Sequence, residues 1–267
     1  MAICTLLRFI QAVRASRTSF ICHNLMLSFT PRLIAQSLTS VVNLQLTHSY
    51  LDRIPQDIPT IVVSNHRSFL DAPILIKIIP NTLRIACHHY MGETPVVRDI
   101  VDSLGCFPLA EAKQRHKRFF QQASQLLTSR QWVGLFPEGT RPMIEPTAPD
   151  EIGEFHRGFA HLAWKVPIDN LAVLPVAIAS LSETNYPSIP IRWLERFDRD
   201  EPFFQRQGFH PMLIYHRVHV AIGQPYSISK AQKQQYKGRQ AKILATDLTN
   251  YCQDRITELL KEQIYNR

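Results

Sequence analysis

The sequence lacks what several functional classes require. Its five cysteines, Cys4, Cys22, Cys87, Cys106 and Cys252, are odd in number, scattered and never spaced as C-x-x-C. They suggest neither a disulfide framework nor a zinc site, and they point to a reducing compartment. The start, Met-Ala-Ile-Cys-Thr-Leu-Leu-Arg, has no positive stretch ahead of a sustained apolar core, so a secretory signal is not expected. Internal repeats and low-complexity tracts are missing, as is any recognisable nucleic-acid reading module. Between Leu33 and Leu51 there is no Asp, Glu, Lys or Arg. That length could reach across a bilayer, yet Gln36, Ser37, Thr39, Ser40, Asn43 and Gln45 make the stretch too polar for a convincing span.

What is present bounds the answer from the other side. A chain of 267 residues with 45% hydrophobic content can bury one sizeable core and carry an appended segment. Its net charge of +8 calls for an acidic partner: nucleic acid, anionic lipid or a phosphorylated metabolite. Residues 1–51 read as helical and half apolar, with Arg8, Arg14, Arg17 and Arg32 interrupting the apolar stretches. Such a segment lies in a membrane interface, or packs on the main domain as ordinary helices. The expected division is therefore an N-terminal helical, membrane-interfacial segment at 1–52 and an α/β domain at 53–267.

Beyond the Pro-containing stretch at 52–59, strand-like runs recur near 60–64, 83–87, 105–109, 132–136, 171–179 and 212–222, with helical stretches between most of them. The alternation predicts an α/β fold, a mixed and mostly parallel sheet flanked by helices. Helices are expected over 113–129 and 230–264, each with one apolar face. Residues 181–217 break the rhythm by interleaving Tyr186, Trp193, Phe197, Phe203, Phe204 and Phe209 with Arg192, Arg196, Arg199 and Arg206. That mixture stacks bases, lines an acyl groove, anchors at a lipid interface, or forms a packed surface insertion.

Chemistry concentrates in Ile61-Val-Val-Ser-Asn-His-Arg-Ser-Phe-Leu-Asp71. Reacting groups collect at the carboxyl ends of strands, where His66 falls. Residues five apart do not share a helix face, so His66 and Asp71 meet only across a turn. Pro73 supplies the condition, since it fits only the first turn of a helix and sets the helix start between Ser68 and Asp71. A carboxylate there can fix the imidazole tautomer and leave the other ring nitrogen to accept a proton, which makes a general base without a nucleophilic serine. The competing reading is a capping-box-like Ser68-x-x-Asp71 beside a loop histidine. His88 and Glu93 repeat the spacing and are read as coincidence.

A second strand end, Trp132-Val-Gly-Leu-Phe136, runs into Pro137-Glu138-Gly139-Thr140-Arg141. Gly139 permits a turn closed to other residues, and Arg141 suits a phosphate or carboxylate through its planar fork. A structural salt bridge in a tight turn is the alternative.

Asn65-His66-x4-Asp71 together with Phe136-Pro-Glu-Gly-Thr-Arg141 resembles the glycerolipid acyltransferase family typified by 1-acyl-sn-glycerol-3-phosphate acyltransferases. The resemblance extends through Phe155-His-Arg-Gly-Phe-Ala160, Leu174-Pro-Val176 and Val220-Ala-Ile-Gly-Gln-Pro225, and covers roughly residues 55–260. It implies a membrane-associated enzyme of phospholipid biosynthesis at the cytoplasmic face. His66, oriented by Asp71, would deprotonate the hydroxyl of a lysolipid acceptor for attack on acyl-CoA or acyl carrier protein, with no cofactor beyond that co-substrate and no metal. Glu138, Gly139, Thr140 and Arg141 would hold the glycerol-phosphate end of 1-acyl-sn-glycerol 3-phosphate. One departure stands out: Glu111 occupies the place where the family often carries an arginine, and a carboxylate repels phosphate. Either Lys113 or Arg115 replaces the missing charge, or glycerol 3-phosphate or another lysolipid is the acceptor. A non-catalytic lipid-binding protein on the same fold is the reading from another class.

Overall fold

The computed structural model describes residues 31–93, 97–110, 115–191 and 207–265. The arginines expected to anchor residues 1–30, Glu111 and Lys113, and the aromatic-basic run from Arg192 to Arg206 lie outside the described residues.

The organising strand is β2, Thr60–Ser64, in which all five residues are buried. Such an unbroken apolar run suits a parallel strand covered on both faces. It pairs in parallel with β5, Trp132–Leu135, on one side and with β6, Leu171–Pro190, on the other. Outside β5 lie β3, Leu83–Cys87, and β4, Phe107–Pro108, also parallel. Outside β6, β7 (Phe209–Ile222) and β8 (Tyr226–Ile228) both pair antiparallel. With β1 (Gln45–Ser49) beyond β7, the path β1-β7-β6-β2-β5-β3-β4 makes a mixed and mostly parallel sheet, as its α/β pattern predicts.

Period-two alternation builds a core on each face. Ile61, Val63, Val133 and Val173 face one side, under α5 (Arg115–Thr128), α7 (Gly158–Lys165) and α9 (Gly238–Tyr265). Val62, Trp132, Leu174 and Val176 face the other, under α1 (Pro31–Val41) and α2 (Asp71–Ile78). The short helices α3 (His89–Glu93), α4 (Val97–Ser103), α6 (Arg141–Ile144) and α8 (Lys230–Gln234) complete the connections.

Three expectations need correction. The helical reading of residues 1–51 fails at Gln45–Ser49, which form β1, an edge strand parallel to β7. Helix α1 stops because Asn43 takes a left-handed conformation, φ 52°, with Leu44 N–H donating to Thr39 O and Asn43 N–H to Ser40 O. These two bonds form a Schellman motif, which satisfies the last carbonyls and turns the chain. Residues 31–49, assigned on sequence to the N-terminal segment, are thus built into the α/β unit through β1 and through the packing of α1 on α2. The final helix is also two helices, because Ser229 and Gln232 close a capping box around α8 and Gly238 restarts the chain at φ 51°. Finally, the segment after 180 continues the sheet: β6 and β7 run on together past the last β2 contact at Val176, with register shifts at Ser180, Ser182 and Pro187. They form a two-stranded arm.

Candidate active site

Both sequence motifs fall at the carboxyl ends of adjacent parallel strands, β2 and β5, where Val63 is opposite Leu135. The turn anticipated between His66 and Asp71 is present, and α2 begins at Asp71 with Pro73 in its first turn. His66 Nδ1 lies 2.9 Å from Asp71 Oδ2. The same oxygen accepts the backbone N–H groups of Arg67 at 2.7 Å and Ser68 at 2.8 Å, so it is committed as an acceptor. A hydrogen bond from the ring to that oxygen requires the proton on Nδ1, which leaves Nε2 with its lone pair. Among the described residues no group bonds Nε2. The His66 ring stacks on Phe136, centroids 4.1 Å apart and planes within 12°, and keeps 19% of its side chain exposed while Asp71 is fully buried. Behind Asp71 the wholly buried Tyr215 hydroxyl has its pKa pushed well above the usual value, by burial first and then by the neighbouring carboxylate.

The remaining polar residues of the first motif fasten it to the arm. Asn65 continues the sheet by side chain: its Nδ2 donates to Ile178 O at 3.0 Å and its Oδ1 accepts from Ile178 N at 2.8 Å. Arg67, 3% exposed, makes a two-pronged pair with Glu183, 2.8 and 2.9 Å, and donates to Thr147 O at 2.5 Å. Ser68 Oγ donates to Leu213 O at 2.6 Å. Residue-local spacing could not reveal these pairings, because their partners lie more than 75 residues away.

The second motif divides into two roles. Glu138, 5% exposed, accepts from His66 N at 2.9 Å and from Gly153 N at 2.5 Å, one bond per oxygen. Burial raises its pKa from the usual carboxylate value, opposed by those two bonds. Its carboxylate therefore braces the histidine loop. Gly139 adopts φ 71°, and a Cβ there would sit 3.7 Å from the His156 ring, so backbone conformation and not space demands glycine. Thr140 is half-buried and precedes α6. Arg141 is 72% exposed and held at Nε by Glu145, 3.0 Å away, which leaves most of its fork facing solvent. Of the basic groups considered near Glu111, Arg115 opens α5.

A family model, Acyltransferase, matches residues 45–179, from the first residue of β1 through both loops. The N-acylphosphatidylethanolamine synthase of Arabidopsis thaliana is 25% identical over 150 residues, covering 46% of this chain and 53% of that protein. The chain thus spans about half the length of that curated relative. In fold, it is similar to the crystal structure of the 1-acyl-sn-glycerophosphate (LPA) acyltransferase PlsC from Thermotoga maritima, with a TM-score of 0.55 at 18% identity over 87% of this chain and 78% of that one. Since the model spans half of the sequence and takes in the histidine and arginine loops alike, the chain belongs to the acyltransferase family.

Proposed function

We propose that the chain moves a fatty acyl group from acyl-CoA or acyl carrier protein to the free hydroxyl of 1-acyl-sn-glycerol 3-phosphate, giving phosphatidic acid. The observation that carries this reading is the His66–Asp71 contact at 2.9 Å, on a ring whose other nitrogen is unbonded among the described residues. His66 Nε2 takes the proton of the acceptor hydroxyl as its oxygen attacks the thioester carbonyl. The tetrahedral intermediate collapses with cleavage of the carbon–sulfur bond, and the imidazolium returns the proton to the leaving thiolate. The step uses no acyl-enzyme, no metal and no cofactor beyond the donor. Arg141, with its fork open to solvent, takes the acceptor phosphate beside Thr140, and Glu138 and Gly139 hold the loop that presents them.

The acceptor is a membrane lipid, so we place the protein at the cytoplasmic membrane surface, attached through residues 1–30 or the arm. A second reading changes the acceptor to one with a cationic amine head group. Glu111 in place of the family's arginine favours it, as does the N-acylphosphatidylethanolamine synthase relative.

The test is acyl transfer from both donors to a panel containing 1-acyl-sn-glycerol 3-phosphate, glycerol 3-phosphate, other lysolipids and phosphatidylethanolamine, with His66→Ala in parallel. Transfer to the lysophosphatidic acid that disappears in His66→Ala is the expected result. Histidine-dependent transfer to the amine alone establishes the second reading, and transfer undiminished in His66→Ala removes the mechanism.

A further inference from the structure

A second concave site lies between α5 and α7, away from the residues used above. It is a cleft of about 620 Å³ lined by His116, Lys117, Phe119, Phe120, His161 and Lys165, with no carboxylate among its lining residues. Phe119 and Phe120 are half-buried, packed in part against the core, and so hold aromatic surface at the wall. Lys117 and Lys165 are exposed, while His161 is half-buried with Nδ1 bonded to the Tyr236 hydroxyl. His161 also has its pKa lowered, by burial first and then by the positive charges of Lys165 and Arg157.

The position of the cleft ties it to the reaction. Helix α5 ends four residues before β5, so its first turns lie toward the carboxyl ends of the strands. Gly158, which also lines the cleft, is two residues from His156. The His156 ring stands 3.7 Å from where a Cβ on Gly139 would be, and the backbone N–H of His156 donates to Pro137 O. One wall of the cleft is therefore continuous with the arginine loop.

Resting on the acyl-transfer reading, we propose that this cleft takes the 3′-phosphorylated adenosine end of an acyl-CoA donor. Aromatic walls accept a purine face, and clustered lysine ammonium groups together with imidazole N–H groups donate to phosphate oxygens. The thioester arm then runs past His156 and Gly139 to His66. The volume falls within the roughly 300–1,000 Å³ of small-molecule pockets. A carrier protein would instead need a broad patch of about 800 Å².

The experiment titrates adenosine 3′,5′-bisphosphate into the full chain in detergent, followed by calorimetry and by the His161 ring resonances. The Lys117→Glu/Lys165→Glu double variant is run alongside. Wild type binds the nucleotide and the His161 pKa rises on binding. The variant binds at least tenfold more weakly and shows a tenfold higher KM for acyl-CoA, with kcat and acceptor KM unchanged. Acyl-pantetheine, which lacks the nucleotide, serves both proteins equally. Absence of nucleotide binding by wild type, or equal binding by the variant, overturns the proposal. So does a KM increase that acyl-pantetheine shares. Binding is read without turnover: if no donor supports transfer yet the nucleotide binds and shifts His161, the reaction assignment fails and the nucleotide site stands.

Discussion

His66 meets Asp71 because the chain turns through a tight loop whose two backbone N–H groups converge on the carboxylate that the ring also contacts. Asp71→Asn tests the consequence. An amide oxygen in the place of Oδ2 still accepts both N–H bonds and the ring proton, but it lacks the negative charge that would stabilise the imidazolium as His66 takes the acceptor's proton. We expect kcat to fall roughly a hundredfold to ten-thousandfold with little change in the thermal melt; an unchanged rate would detach Asp71 from the chemistry. At Glu138 the test is pH. Its folded pKa is raised by burial, so between the ordinary carboxylate value and the raised one the native state holds more protons than the unfolded chain. Stability from this group therefore declines as pH rises through that window and is level above it. Glu138→Gln should flatten that slope in denaturant unfolding measured as a function of pH, at a cost of about 1–3 kcal/mol from the backbone N–H it leaves poorly accepted. The His66–Asp71 pair was legible because a strand end, a spacing of five and a proline act within a dozen residues. The bracing by Glu138 was not, since Gly153 and His66 are brought to it only by the tertiary fold.

Among elements, the arm built from β6 and β7 holds the histidine loop in place. Arg67 is nearly sealed from solvent and its charge is answered by Glu183 on the arm, so Glu183→Ala strands a buried guanidinium. The expected cost is about 3 kcal/mol, a fall of about 6–12 °C in Tm for a domain of this size. Arg67→Met/Glu183→Leu should recover most of the loss, which calorimetric melts of both variants would show; equal destabilisation of single and double variants would point to packing and not to charge. Strands β2, β3, β5 and the core of β6 and β7 were readable from apolar runs bounded by turn residues. Strand β1 was not, because an edge strand has one ladder and little burial, and Gln45-Leu-Thr-His-Ser carries no strong apolar alternation. Asn43 was the available signal for the helix stop before it.

For the molecule as a whole, the placement of α1 and β1 changes which truncation is informative. Removing residues 1–30 should leave the sheet and its melt intact and release the protein from liposomes in a flotation assay, if those residues are the anchor. Removing 1–51 takes away an edge strand and the helix packed on α2, and should lower Tm by well over the effect of the shorter deletion. Retention of the 1–30 deletion on liposomes would shift the anchor to the arm. Among the described residues no helix is long and apolar enough to cross a membrane. The pairing of β1 with β7 also sets a schedule. Gln45 must wait for Arg217, its partner 172 residues later, before the edge of the sheet can form. At roughly 5–20 residues per second of synthesis, that interval is about 10–35 s. Through most of it β1 has been made while the strand it pairs with has not. The parallel centre of the sheet, β2, β5 and β6, is therefore synthesised whole before β1 has its partner, so the sheet closes from its middle outward and this edge comes last.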